Sequence, residues 1–258
     1  MKYHVTIASS KIITTVKKFR DKKHNNNKYS NVWLMITNGK VFLFATDKYI
    51  LAINKIIDMN VYDNSEISIC IPEYILDKIA IHKGPVDITV LQENTLDHLI
   101  CSVQFGEQKI EWQIEPKDSV LWLNDSTYIK DNAEDQYYVA TTTAKDVLEW
   151  IKRNKRGWYN IDKLCKMCIT KDNIHEISLN CAEARFPMSY DVSSTTVDPF
   201  DTHFILMPLY DPNKAPTTIA SLDTRKFMSI LQTMGSRQKV QIRISSSKLK
   251  GIEIKANK

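Results

Sequence analysis

Six glycines in 258 residues are few, and no two of them stand close together. A loop that cradles a nucleotide phosphate needs clustered glycines, so that backbone N–H groups can approach the anion, and nothing of that kind is present. Long hydrophobic runs are missing too. No stretch reaches the roughly 18 apolar residues that cross a bilayer, and the opening Met1-Lys2-Tyr3-His4-Val5 lacks the apolar core of a signal peptide. The five cysteines are an odd number spread along the chain, which argues against a disulfide framework and for a reducing compartment. The six histidines are scattered. The one Cys-x-x-Cys, Cys165-Lys166-Met167-Cys168, has no second pair to complete four zinc ligands, and in a strand residues three apart point to opposite faces. No Ser-His-Asp signature or paired carboxylate stands out, although a triad assembled in space leaves no linear trace. These absences lead us to expect no metal, no cofactor, no catalysis and no membrane association.

What is there is ordinary globular material. Hydrophobic content of 43% and charged content of 25% suit a folded chain long enough for two modest cores. Lys+Arg exceeds Asp+Glu by only five, 35 against 30, so the placement of charge must decide whether the partner is a polyanion.

The glycines punctuate a regular order. Asn38-Gly39 between Trp33-Leu34-Met35-Ile36 and Val41-Phe42-Leu43-Phe44 signals a two-residue hairpin. Gly106 and Gly251 separate strand-like segments, while Gly84, Gly157 and Gly235 follow helical periodicity, where a C-cap glycine belongs. The first half reads as a strand at 3–7, a helix capped by Ser9 or Ser10 and running to about Lys23, and the hairpin continuing through Tyr49–Ile53. A strand at 67–71 follows, then a helix opened by Pro72 to about His82, and strands at 86–91, 99–105 and 109–114. The second half repeats the order: a strand at 138–140, capping threonines 141–143 and a helix to about Lys155, then strands near 164–169, 175–179 and 184–190. After an irregular insertion at 193–216 come a strand at 218–221, a helix at 223–234 and a closing hairpin at 240–245 and 250–255. Two copies of one plan in one chain outweigh any single motif. The expected division is 1–115, a linker at 116–136 carrying the apolar Val120-Leu121-Trp122-Leu123, and 137–258.

Positive charge recurs on the outer faces of the helices. Ile12, Val16 and Phe19, with Ile13 at the edge, form the inner face of the first, while Lys11, Lys17, Lys18 and Lys22 lie opposite or beside it. Val147, Leu148 and Ile151 do the same for the helix at 143–155, leaving Lys145, Lys152, Arg153 and Arg156 outside. Lys78 and Lys83, and Arg225, Lys226 and Arg237, mark the other two helices. A charged outer face is commonly just the solvated side of a helix; its recurrence in both repeats points to one basic surface that would contact phosphates without reading bases.

Phe44-Ala45-Thr46-Asp47-Lys48-Tyr49-Ile50-Leu51-Ala52 resembles the Ala-Thr-Asp-Gly-His-Arg-Leu-Ala segment of bacterial DNA sliding clamps. It keeps Ala45, Thr46, Asp47, Leu51 and Ala52, and departs at Lys48, Tyr49 and Ile50. The closing segment 222–256 is also similar to the end of a clamp's last domain. The resemblance implies an α+β fold of two repeated clamp domains, each with two helices packed on antiparallel sheets, and a pseudo-sixfold ring made of three chains. It implies a processivity factor, not an enzyme, with duplex DNA, a DNA polymerase, a clamp loader and its own copies as partners, in the cytoplasm and on the nucleoid. The thirteen basic residues named above would then face DNA. Thr46 and Leu51 would form one wall of a partner-peptide pocket, and Ile252, Ile254 and Ala256 another, with Val120, Leu121 and Leu123 beside them. Two domains with a bacterial-type motif suggest a phage or mobile-element origin. Two other classes stay open: a clamp-fold interaction or transcription factor that does not encircle DNA, and an enzyme of unrelated fold using Cys165, Cys168 or a histidine.

Overall fold

The computed structural model describes residues 2–7, 9–21, 30–37, 40–56, 67–92, 98–114, 137–154, 164–169, 176–181, 184–193, 204–209, 218–235, 237–245 and 251–257. The chain divides into two compact units, Met1–Asp125 and Ser126–Lys258. The expected linker at 116–136, the Asn38-Gly39 turn and Gly157 lie outside the described residues.

Unit 1 runs β1 (Lys2–Ile7), α1 (Ser10–Lys17), β2 (Val32–Thr37), β3 (Lys40–Thr46), β4 (Ile50–Ile56), β5 (Ile67–Ile71), α2 (Glu73–Ile81), β6 (Val86–Gln92), β7 (Leu99–Phe105) and β8 (Gln108–Ile114). The strands pair antiparallel in two arrays, β1-β6-β7-β8 and β5-β2-β3-β4. In β7 burial alternates, with Leu99, Cys101, Val103 and Phe105 inward, the pattern of a sheet with one wet face. Val32–Ile36 and Val41–Phe44 are buried throughout, so β2 and β3 are covered on both faces, which explains their unbroken apolar runs. α1 packs beside α2 and across β2, β3 and β4. The Trp112 indole of β8 donates to the Cys70 carbonyl of β5 at 3.1 Å and ties one array to the other.

Unit 2 runs β9 (Tyr137–Thr143), α3 (Ala144–Asn154), β10 (Leu164–Ile169), β11 (Glu176–Cys181), β12 (Ala184–Ser193), β13 (Phe204–Leu206), β14 (Thr218–Asp223), α4 (Thr224–Met234), β15 (Lys239–Ser245) and β16 (Ile252–Asn257). Its strands order as β14-β10-β11-β12 and β9-β15-β16-β13. Strand for strand this is the plan of unit 1: β9, β10, β11, β12 and β14 hold the places of β1, β2, β3, β4 and β5, and β15 and β16 those of β6 and β7. The first helix of each unit is anchored alike. The Ser10 N–H donates to the Gly84 carbonyl and the Ala144 N–H to the Gln238 carbonyl, both at 3.2 Å. One difference is that β12, ten residues long, pairs with β11 through Ala184–Ser189 and then with β9 through Tyr190–Ser193.

Several sequence expectations need correction. Residues 193–216, expected to be irregular, contain β13, whose buried Phe204, Ile205 and Leu206 pair with β16 and take the fourth place that β8 fills in unit 1. The run Phe204-Ile205-Leu206-Met207 is continuously apolar and ends at Pro208, so it shows no alternation by which a strand could be recognised. The first helix ends at Lys17 rather than near Lys23. Tighter turns follow, with the Phe19 N–H donating to the Val16 carbonyl at 3.0 Å. They swing Arg20 inward, where it is buried and donates to the Ser30 carbonyl at 3.1 Å and to the Glu73 carboxylate. Within α1 it is Ile13, not Ile12, that is fully buried, with Val16 and Phe19 buried alongside. Thr141 and Thr142 belong to β9; only Thr143 caps α3, accepting from the Asp146 N–H at 3.1 Å and donating to its carboxylate at 2.6 Å. Gly84 is no left-handed cap, since α2 ends on an extended His82, whose ring lies so close that a Cβ at Gly84 would sit 2.7 Å from it. Gly235 after α4, at φ +92°, does occupy a backbone region that favours glycine.

Candidate functional site

The Ala-Thr-Asp segment forms the tight connection between β3 and β4, and its chemistry is that of a turn. The Thr46 hydroxyl accepts from the Lys48 N–H at 3.0 Å. Asp47 Oδ1 accepts from the N–H groups of Tyr49 at 3.0 Å and Ile50 at 2.8 Å. The Asp47 N–H closes the loop on the Ile50 carbonyl at 3.2 Å. Two side chains therefore satisfy three consecutive N–H donors, an Asx-type device. Lys48 carries a φ of +79°, at the position where the resembled segment has glycine. Left-handed backbone costs a non-glycine residue about 1–2 kcal/mol. A glycine loses roughly 0.5–1 kcal/mol of unfolded-chain entropy. The first term is larger, so Lys48→Gly is expected to raise unfolding stability by about 0.5 kcal/mol or more in urea titration, by the difference of those two terms.

The turn decides what the expected pocket residues can do. Thr46 pairs with Leu51 in register, and both are buried; Thr46 has its hydroxyl committed to the turn. In unit 2, Ile252 and Ile254 are fully buried on β16, opposite Leu206 and Phe204 of β13, and Ala256 is half-buried opposite Val240. Val120, Leu121 and Leu123 lie outside the described residues. Tyr49, one of the departures from the resembled segment, is 48% exposed in this turn. An aromatic stands where a turn wants small polar residues.

The basic residues divide by how they are held. On unit 1, Lys17 is mostly covered and bonded to the Asp77 carboxylate of α2, while Lys18, Lys78 and Lys83 are exposed. That bond from Lys17 is the first cause holding the Asp77 carboxyl below its usual range, against a smaller opposing effect of desolvation. The side chain of Lys11, and all of Lys22, fall outside the description. On unit 2, Lys145 and Arg153 flank Glu149 one helical turn to either side, at 3.8 and 3.3 Å, and stay 60% and 78% exposed. Exposed i,i+4 pairs of this kind contribute only tenths of a kcal/mol, so the cations remain available. Lys152, Arg225 and Arg237 are exposed, Lys226 is half-buried, and Arg156 lies outside the described residues. α4 is capped by Asp223, whose carboxylate accepts from the Arg225 and Lys226 N–H groups at 2.9 and 3.1 Å.

Other chemistry is sparse. Cys165 and Cys168 both lie in β10, in register with Leu222 of β14 and Ser178 of β11 respectively. Among the described residues no three His, Cys, Asp or Glu side chains gather as a metal site, and no helix is long and apolar enough to cross a membrane. Burial pushes the Cys101 thiol up to about 12, so its nucleophilic thiolate is suppressed at neutral pH.

No family model and no curated protein matches the sequence. Solved structures do match the fold. The chain is similar to the DNA polymerase III subunit beta of Borrelia burgdorferi at 12% identity and a TM-score of 0.58, over 99% of this chain and 63% of that one. It is similar to the DNA polymerase sliding clamp of Pseudomonas aeruginosa at 11% identity and a TM-score of 0.56, over 99% and 66%. It is similar to the sliding clamp of Bacillus subtilis at 11% identity and a TM-score of 0.55, over 99% and 64%. The chain thus spans just under two thirds of the length of each. Over nearly its whole length, this chain has the fold of DNA sliding clamps.

Proposed function

We propose that the protein is a polymerase processivity factor, which closes into a ring around duplex DNA and tethers replication proteins to it without catalysing a reaction. The observation that carries this reading is the repeated plan: two units of one strand order, each with a pair of packed helices bearing exposed cations. A chain of two such units, covering just under two thirds of the solved clamps, fits two thirds of a three-domain bacterial clamp. Six units would then need three copies. Phosphate contact through Lys and Arg on helix surfaces gives affinity without sequence preference, as a sliding ring requires. A DNA polymerase would dock through a short peptide near the Thr46–Leu51 turn of unit 1, with Tyr49 as an aromatic contact. A separate ATP-driven loader would open the ring. A cytoplasmic, nucleoid-associated protein of phage or mobile-element origin is the setting this reading implies.

A second reading, a clamp-fold interaction factor that does not encircle DNA, draws on the exposed Tyr74 and Ile81 of α2. Solution mass separates the two. Light scattering on the full chain is expected to give three times the 29.8 kDa protomer, whereas a monomer at tens of micromolar would favour the second reading.

A further inference from the structure

α2 and α4 hold equivalent places in their units, yet they expose different chemistry. On α2 the exposed residues are Glu73, Tyr74, Asp77, Lys78, Ala80 and Ile81. That surface has two carboxylates, a tyrosine ring 52% exposed and an isoleucine 84% exposed, against one lysine. The two cations that α1 and its following turn send toward α2, Lys17 and Arg20, are taken up by those carboxylates, Lys17 by Asp77 and Arg20 by Glu73. Arg20 keeps only 7% of its side chain exposed. A phosphate approaching α2 would meet two carboxylates and apolar side chains around one exposed cation, Lys78, because Lys17 and Arg20 are already bonded.

α4 is the opposite. Its exposed residues are Arg225, Ser229 and Gln232, with Lys226, Met228, Thr233 and Met234 half-exposed, and Thr224–Met234 contains no acidic residue. The nearest acid, Asp223, is turned to the capped N–H groups of the first turn. Cations with neutral hydrogen-bond donors are the surface that phosphate binding requires. The α3–α4 pair is also the more positive, with a net +3 over its two helices against +1 for α1 and α2, and more of its cations are reachable.

We propose that the two units grip the duplex unequally: α3 and α4 of unit 2 hold the phosphates, while α2 of unit 1 holds none. The inference rests on the DNA-encircling reading above and adds a division of labour within the chain.

Two variants with the same loss of charge test it. Lys152→Ala with Arg225→Ala removes two cations from unit 2, and Lys78→Ala with Lys83→Ala removes two from α2 and its end. Because long-range electrostatics change equally, a difference between them reports direct phosphate binding. Binding of the full chain to a fluorescently labelled duplex is followed by anisotropy from low to moderate salt, with thermal unfolding checked for each variant. The unit 2 variant is expected to flatten the log–log salt slope by roughly one unit for each phosphate no longer neutralised, and to weaken binding about tenfold or more near 0.1 M salt. The α2 variant is expected to keep the wild-type slope and an affinity within about twofold, since every bound phosphate keeps its cation. Equal losses in the two variants would overturn the unequal grip and leave the encircling reading standing. Absence of any salt-dependent binding by the wild-type chain would remove that reading, and this inference with it.

Discussion

Glu253→Gln is expected to destabilise unit 2 by about 3–5 kcal/mol, because it strands a buried guanidinium. Arg243 and Glu253 are direct cross-strand partners on β15 and β16, 3.2 Å apart, with side chains only 6% and 16% exposed. The guanidinium also lies over the Tyr137 ring, 3.5 Å from its centroid. Glutamine keeps the shape and can still accept one hydrogen bond, but it removes the charge that offsets desolvation of Arg243. Replacing both partners with apolar residues of similar volume, Arg243→Met with Glu253→Leu, is expected to recover most of the loss, since no charge is then left buried. Urea unfolding of the wild-type chain and the two variants checks this. A single-variant loss below about 1 kcal/mol would mean that water reaches the pair and the site behaves as a surface salt bridge. The same strand carries Ile252 and Ile254. Loss of partner docking in a β16 variant therefore counts as a pocket effect only where stability is unchanged.

Phe227→Ala is expected to cost about 3–5 kcal/mol, the range for deleting a fully buried aromatic ring. Phe227 is fully buried on α4, as are Ile230 and Leu231, the three spaced along one face of the helix. α4 packs on β13 and β14, and Phe227 is the largest side chain holding it there. Typical domain stabilities are only about 5–15 kcal/mol, so such a loss removes a large fraction of the total. Because Arg225 and Ser229 lie on the other side of that helix, DNA binding by this variant is expected to fall in step with the folded fraction, measured by circular dichroism in parallel. Binding that vanished while the fold persisted would show that α4 reorients without its anchor.

Much of this architecture was legible in the sequence, and for physical reasons. Ile67–Ile71 and Leu99–Phe105 are bounded by turn residues and have a clear apolar pattern, and both strands fall where expected. Pro72 and Asp223 sit at the N-caps of their helices, because a residue that fixes φ or accepts N–H bonds marks a helix start locally. What the sequence hid depends on partners distant in the chain. β13 exists because β16 offers it an edge. α1 stops at Lys17 because Arg20 turns toward Ser30 and Glu73, which no local pattern announces.

The candidate site followed the same rule. Helical spacing identified Lys18, Lys78, Lys145, Lys152 and Arg225 as outer-face cations, and each is exposed. Spacing could not show that Lys17 would be taken by Asp77 sixty residues away. The Ala-Thr-Asp segment resembles a partner-binding wall, while its hydrogen bonds are those of a turn that holds Lys48 in left-handed backbone, where the resembled segment has glycine.

Electron microscopy of the purified chain mixed with linear duplex tests the central claim most directly. The account expects closed rings of six units, three chains each, with the duplex passing through a central opening and the helix pairs on the inner rim. Particles of one chain bound along the outside of the duplex, or rings whose helix pairs face outward, would contradict it.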